Sequence, residues 1–286
     1  MLSSLKLLQP STVAEASQAL AEHGENARIY AGGAELLLLV RHGLVAAEVL
    51  IDIKKIDRLH RIQLQDGTLR VGACVTHHAL ENDPLVREHA PALASAESQL
   101  ANVRVRSQGT LGGNLAFNDP HSDPGTALLV HNPAVILGGA GGERRVPLSE
   151  FFIDMYATAL RPGELLVEVE IPRLPVGMNS AYRRLHRYQR PTLGVAAAAR
   201  AAGGAIEEAR LAVGCVGPKA QRLTDLEGKI KGAKLSDARR IVKEERKRLG
   251  NLLQPVDDLM GSAEYKLYMT GVMICEALEA ANGAAA

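Results

Sequence analysis

Gly109-Thr110-Leu111-Gly112-Gly113-Asn114-Leu115-Ala116, running on into Asn118-Asp119-Pro120-His121-Ser122-Asp123, is the stretch on which the reading of this chain turns. Its paired glycines remove Cβ where another backbone or a ligand must come close. A hydroxyl, Thr110, precedes them, an amide, Asn114, follows, and a carboxylate-rich turn comes next. Consecutive peptide N–H groups in such a turn form a concavity suited to a phosphate or pyrophosphate. A tight turn between buried segments is the plainer alternative, and the stretch by itself leaves both open.

Upstream, a second pair sits in Ala31-Gly32-Gly33-Ala34-Glu35. Arg28-Ile29-Tyr30 before it reads as a short strand, and the apolar run 36–40 after it as the first turns of a helix. A strand-to-helix junction is where backbone amides and a helix dipole can meet a phosphate. The spacing is neither G-x-G-x-x-G nor G-x-x-x-x-G-K, which excludes the two best-known nucleotide loops. A turn again remains open. The glycines at 138, 139, 141 and 142 make a useful control. They lack hydroxyl, amide or acidic companions and read as a surface hairpin loop.

Working outward, the pattern divides into three lobes. In residues 1–56, Thr12 and Glu15 have capping-box spacing before a helix that Gly24 should end. The span 48–53 is almost continuously apolar, as a strand covered on both faces should be. In residues 57–175, spans 61–65 and 68–75 flank Asp66-Gly67, a strong hairpin signal. Thr76-His77-His78 then precedes a helix, and adjacent histidines make poor joint metal ligands because neighbouring side chains diverge. A helix over 90–99, an apolar segment over 127–130, a strand over 134–137 and a strand over 165–171 closed by Pro172 complete this lobe. In residues 177–286, Tyr182, Arg183, Arg184, His186, Arg187 and Arg190 form a basic strand-like stretch. Antiparallel strands over 192–200 and 209–213 follow around Gly203-Gly204. A charged amphipathic helix over 236–249, stopped by Gly250, and a more apolar helix over 263–280 end the chain. The fold class is α+β.

A length of 286 residues suits two or three lobes. The net charge of +1 argues against a broad polyanion-binding face, and so against nucleic acid as the main partner. Cys74, Cys215 and Cys275 are scattered without C-x-x-C spacing, so neither an iron–sulfur cluster nor a zinc site is written here. Few, scattered cysteines fit a reducing compartment. The longest apolar run, 36–40, is far too short to span a bilayer. A cytoplasmic protein without a membrane span is the expectation.

The two Gly-Gly passages, in this order and at this separation, resemble the FAD-binding medium subunit of the molybdenum hydroxylases, the xanthine dehydrogenase and aerobic carbon monoxide dehydrogenase family. The likeness covers essentially the whole chain. It runs from Pro10-Ser11-Thr12 through Tyr30-Ala31-Gly32-Gly33, Val71-Gly72-Ala73 and the opening stretch to Glu164-Leu165-Leu166 and Glu170-Ile171-Pro172. It implies a two-lobed FAD-binding domain of the vanillyl-alcohol-oxidase (PCMH) type followed by a C-terminal flavoprotein domain. By this resemblance Ile29, Tyr30, Ala31, Gly32, Gly33, Ala34, Glu35 and Leu36 would wrap the FAD pyrophosphate. Thr110, Gly112, Gly113 and Asn114 would hold the diphosphate and the adjoining flavin side chain. Asp123 falls where the family has an aspartate for the ribityl or ribose part, Leu166 where an apolar residue packs on the flavin, and Arg183 near a basic residue approaching the ring. Ala34 departs from the pattern, because a small polar residue is usual there, and one hydroxyl donor is lost. The insertion that carries an iron–sulfur cluster in the benzoyl-CoA reductase branch is absent.

The resemblance also implies partners: a large molybdopterin-binding subunit and a small subunit with two 2Fe–2S clusters, assembled as a dimer of heterotrimers. Electrons would pass through FAD on this chain to an external acceptor, and no catalytic acid–base residue or metal ligand is expected here. A stand-alone FAD-dependent oxidoreductase of the same fold is the alternative, with His77 and His121 as candidates for covalent flavin attachment. A scaffold that has lost FAD is a third reading, motivated by Ala34.

Overall fold

The computed structural model describes residues 5–186 and 189–283, so Arg187 of the basic stretch lies outside the described residues. The first sheet is parallel, with Val49–Asp52 between Lys6–Leu8 and Ala27–Tyr30. All four residues of the central strand are buried, which is why its sequence does not alternate. Thr12 caps the helix Val13–His23 by accepting the Glu15 N–H at 3.1 Å. The Glu15 carboxylate accepts from the N–H of Ser11 at 2.7 Å, so the capping box closes one residue earlier than its usual form.

The second sheet has five antiparallel strands in the order Ile62–Gln65, Thr68–Gly72, Leu165–Pro172, Ala134–Gly139, Gly142–Pro147. Asp66 and Gly67 both have positive φ, 49° and 73°, as a two-residue hairpin turn requires. Leu165–Pro172 ties two cores together. Leu165 and Val167 pack with Ile51 and Leu59, whereas Leu166, Val169 and Ile171 face the core built on Leu93, Leu128 and Phe151. A register shift between Leu166 and Glu168 lets Val169 and Ile171 join Leu166 on one side.

The third sheet is antiparallel, in the order Asn179–His186, Pro191–Ala202, Ala205–Gly214, Gln221–Arg222. Its central strand is buried on both faces. Leu193, Val195, Ala197 and Ala199 meet the C-terminal helices, while Ala196 and Ala198 meet the helix Asp123–Leu129 of the second lobe. Alanines allow this close approach from both sides.

Three local expectations are corrected. His77 and His78 lie inside the helix His77–Asn82 rather than before it, with Thr76 as its cap. The segment expected over 127–130 is the end of the helix Asp123–Leu129. The charged helix is two, Leu235–Glu244 and Arg246–Leu253, broken at Glu245, and Gly250 lies within the second. A Cβ on Gly250 would lie 3.0 Å from Leu267 Cδ2, so this glycine serves helix packing rather than termination.

A candidate cofactor cavity

The strand Ala27–Tyr30 delivers residues 31–35 to the edge of a cavity of about 520 Å³, a volume suited to a cofactor-sized ligand. Gly33 has φ of 75°, and a Cβ there would overlap the Tyr30 ring, so glycine is required twice over. A Cβ on Gly32 would overlap the carbonyl oxygen of Gln108. The two glycine passages are therefore pressed directly against each other.

The second passage is not a turn. Val103–Gln108 is a helix ending at Gly109, and Thr110 caps a further helix, Leu111–Phe117, whose first turn contains both glycines. Gly112 packs on Ala73, where a Cβ would overlap. Gly113 faces open space, with only Thr110 Oγ1, at 3.0 Å, near a notional Cβ.

Accounting for the backbone donors separates the two passages. The N–H groups of Leu111 and Gly112 donate to the carbonyls of Val75 and Ala73, both at 3.0 Å. Gly113 N–H donates to Thr110 Oγ1 at 3.1 Å and Asn114 N–H to the Thr110 carbonyl at 2.9 Å. The anion-binding amides expected here are thus already in use. By contrast, the amides of Gly32, Gly33, Ala34 and Glu35 have no acceptor among the described residues. What the second passage offers the cavity is side chains: the Thr110 hydroxyl, and Asn114, whose Oδ1 accepts from Ser122 Oγ at 2.6 Å and so leaves its NH₂ to donate.

Ile29, Ala31, Gly32, Gly33, Ala34, Glu35, Leu36, Thr110, Gly112, Gly113, Asn114, Asp123 and Leu166 all line the cavity. Tyr30 and Arg183 do not. The Tyr30 ring turns away beneath Lys54, whose Nζ is 3.5 Å from the ring centroid. Arg183 projects to the helix-covered side of its strand with Ala181 and Leu185, because alternate residues of a strand face opposite ways. Arg184, one residue on, enters the cavity instead, and its alternation with the buried Tyr182 was the available signal.

Asp123 is buried and accepts from Tyr182 Oη at 2.6 Å and from Arg184 Nε at 3.2 Å. Burial pushes its pKa up, against the opposing pull of the Arg184 charge and the two hydrogen bonds. Burial and the Asp123 charge hold the Tyr182 phenol well above its usual range, so it remains a donor. At the cavity rim His121 Nε2 lies 3.2 Å from Asp258 and Nδ1 3.6 Å from Asp119. The neighbouring Asp119 carboxylate raises the His121 pKa, burial opposes it, and Asp258 adds to the rise. Asp119 and Arg190 line the cavity without having been assigned to it from sequence, and His121, named there only as a candidate for covalent attachment, lines it as well.

The free amides, the opening above Gly113 and the apolar wall of Leu165 and Leu166 fit a diphosphate-bearing flavin. The family model for the FAD binding domain in molybdopterin dehydrogenase matches residues 3–174, and that for the CO dehydrogenase flavoprotein C-terminal domain matches residues 180–281. The chain belongs to this FAD-binding family. It is 32% identical to the carbon monoxide dehydrogenase medium chain of Hydrogenophaga pseudoflava over 95% of each chain. It is 29% identical to the putative xanthine dehydrogenase FAD-binding subunit of Escherichia coli over 96% of each. The structure of carbon monoxide dehydrogenase from Hydrogenophaga pseudoflava superposes with a TM-score of 0.93 at 32% identity, covering 100% of both chains. The α+β architecture is that of the family, and the chain is a medium, FAD-binding subunit of the molybdenum hydroxylase type, an oxidoreductase component. No group of side chains able to hold a metal ion is found among the described residues, and no described helix is long and apolar enough to cross a membrane.

Proposed function

We propose that this chain is the electron-transfer flavoprotein subunit of a heteromeric molybdenum-containing dehydrogenase. The observation that carries the reading is the row of unmatched amides at 32–35 opening into a cavity of cofactor size. Bound FAD would supply the redox chemistry, accepting electrons from iron–sulfur clusters and releasing them to an external acceptor.

The chain's own residues bind and orient. The amides of 32–35 donate to the diphosphate, with the Thr110 hydroxyl and the Asn114 NH₂ as side-chain donors from the facing wall. Leu166, on the cavity wall, would give the flavin an apolar surface. Arg184 is held at the cavity wall by Asp123, and Asp123 by Tyr182, so the cation there has a fixed direction. Asp123 is committed mainly to these two partners, with its remaining lone pairs available to a ligand hydroxyl. No side chain is asked to move a proton.

Substrate oxidation then belongs to a large molybdopterin-binding partner, and a small partner with two 2Fe–2S clusters relays electrons, in a dimer of heterotrimers. The likeness to medium subunits of carbon monoxide and xanthine dehydrogenases supports this assembly. Affinity purification from the native host is the test. Two copurifying chains carrying molybdenum and iron, with near-stoichiometric FAD on this one, are expected. A lone monomer that oxidises a substrate by itself would overturn the proposal.

A further inference from the structure

We propose that His77 is a further cofactor-binding residue, whose Nε2–H, backed by the buried Glu97 carboxylate, donates a hydrogen bond to the flavin dinucleotide's diphosphate. The inference rests on the cavity being an FAD site. His77 opens the helix His77–Asn82, and its buried ring places Nδ1 2.7 Å from Glu97 Oε2. Glu97 lies on the helix Pro91–Gln99, is 0% exposed, and leaves Oε1 without a partner. Among the described residues its one ion-pair partner is His77. A carboxylate so enclosed is stabilised by a cation beside it. With Nδ1 committed to that carboxylate, the ring offers the cavity its other nitrogen, Nε2, which is a donor when the ring is protonated. That donor makes no hydrogen bond among the described residues, and His77 lines the cavity.

Its position points to the diphosphate. The His77 N–H donates to the Gly109 carbonyl at 3.1 Å. A Cβ on Gly109 would lie 2.9 Å from His77 Cδ2 and 3.2 Å from Nε2, so the glycine keeps the imidazole edge uncovered. The Gly109 Cα in turn lies 3.0 Å from a notional Cβ on Gly32. His77, Gly109 and the unmatched amides of 32–35 are thus successive neighbours around one end of the cavity.

Among the described residues, the other cations near that end already have protein partners. Lys54 Nζ donates to the Ala31 carbonyl at 3.1 Å and pairs with Asp52 at 2.8 Å, over the Tyr30 ring. Arg28, which also lines the cavity, donates from Nη1 to the carbonyls of Glu25 and Ala27. Glu35 adds a carboxylate to the same wall. The amides would face the two charges of a diphosphate, and His77 would add a side-chain donor beside them.

The test uses the full chain, stripped of flavin and titrated with FAD by fluorescence quenching. His77→Gln, which keeps a donor but not the charge, is expected to raise the Kd for FAD roughly 10- to 100-fold, and Glu97→Gln several-fold. Phosphorus NMR at saturating FAD is the second readout. The diphosphate resonances of both variants should shift from those of the wild type, which a purely packing role for the pair would leave in place. Circular dichroism confirms folding, and if His77→Gln does not fold, Glu97→Gln decides by the same two measurements. Unchanged affinity and unchanged resonances overturn the inference while leaving the FAD site standing. A folded wild type that takes up no FAD overturns the cavity reading, and the inference with it.

Discussion

Gly112 and Gly113 are adjacent in sequence and opposite in what their missing side chains admit. Gly112 admits protein: a Cβ there would overlap Ala73, whose Cα and carbonyl oxygen lie 2.7 Å away. Gly112→Ala should therefore destabilise the chain even without cofactor, by about 1–3 kcal/mol, the usual cost of overpacking. Calorimetry of the flavin-free protein checks this as a fall in Tm of several degrees. Gly113 admits ligand. Gly113→Asp should leave that Tm nearly unchanged while the purified protein loses its flavin absorbance, because the new carboxylate points into the cavity. Full FAD occupancy in this variant would remove Gly113 from the site. Asp123 gives the third residue-scale expectation. Asp123→Asn leaves the Arg184 guanidinium, 3% exposed, without its countercharge, a loss of about 3–5 kcal/mol for buried pairs. Urea unfolding should show it as a lower midpoint at unchanged slope.

At the scale of elements, the sequence was most readable where partners are local. The strand Val49–Asp52 announced its burial by its unbroken apolar run, and Asp66-Gly67 announced a hairpin. The glycines of the opening stretch were harder. The amides of Leu111 and Gly112 are taken by the carbonyls of Val75 and Ala73, almost forty positions earlier, and nothing local distinguishes an occupied amide from a free one. The contact at the cavity rim was hidden for the same reason, since His121 meets Asp258 only in the folded chain. Arg184 was missed by one residue because several arginines in succession blur the strand's alternation, and only the neighbouring Tyr182 fixes its phase. That phase also depends on the next strand. Gly194 lies beneath the Tyr182 hydroxyl, and a Cβ there would overlap it. Gly194→Ala should push the phenol off Asp123 and cost about 1.5–3 kcal/mol, the value of a hydrogen bond to a charged group. Tyr182→Phe should lose a similar amount, and the two changes combined should cost less than their sum in thermal unfolding, because both remove the same contact.

At the scale of the whole molecule, the C-terminal sheet is clamped from both faces, so the cavity wall it contributes is set by packing rather than by a hinge. One polar contact across this seam is His121, which joins Asp119, in the loop after the helix Leu111–Phe117, to Asp258, before the last helix. Arg190 flanks Asp119 at 3.4 Å and the wholly buried Lys266 pairs with Asp258 at 2.6 Å. The folded chain holds the His121 proton more tightly than the unfolded chain, whose histidine titrates near 6.5. Its stabilisation is therefore complete below about that pH and is lost as pH rises through the raised folded value. Hydrogen bonds hold the Asp119 and Asp258 pKa values below the ordinary 3.8 despite partial burial, so their share is present above that pH and fails only as pH falls through the lowered values. The bridge is then strongest between about pH 4 and 6.5. Because His121 and Asp258 are about a fifth exposed, solvent screening limits the effect to about 0.5–1 kcal/mol. Raising the pH from about 6 to about 8.5 should lower the wild-type Tm by a few degrees more than that of His121→Gln, which has no proton to lose. Parallel Tm profiles for the two proteins would show that His121 contributes nothing to holding the C-terminal sheet against the cavity.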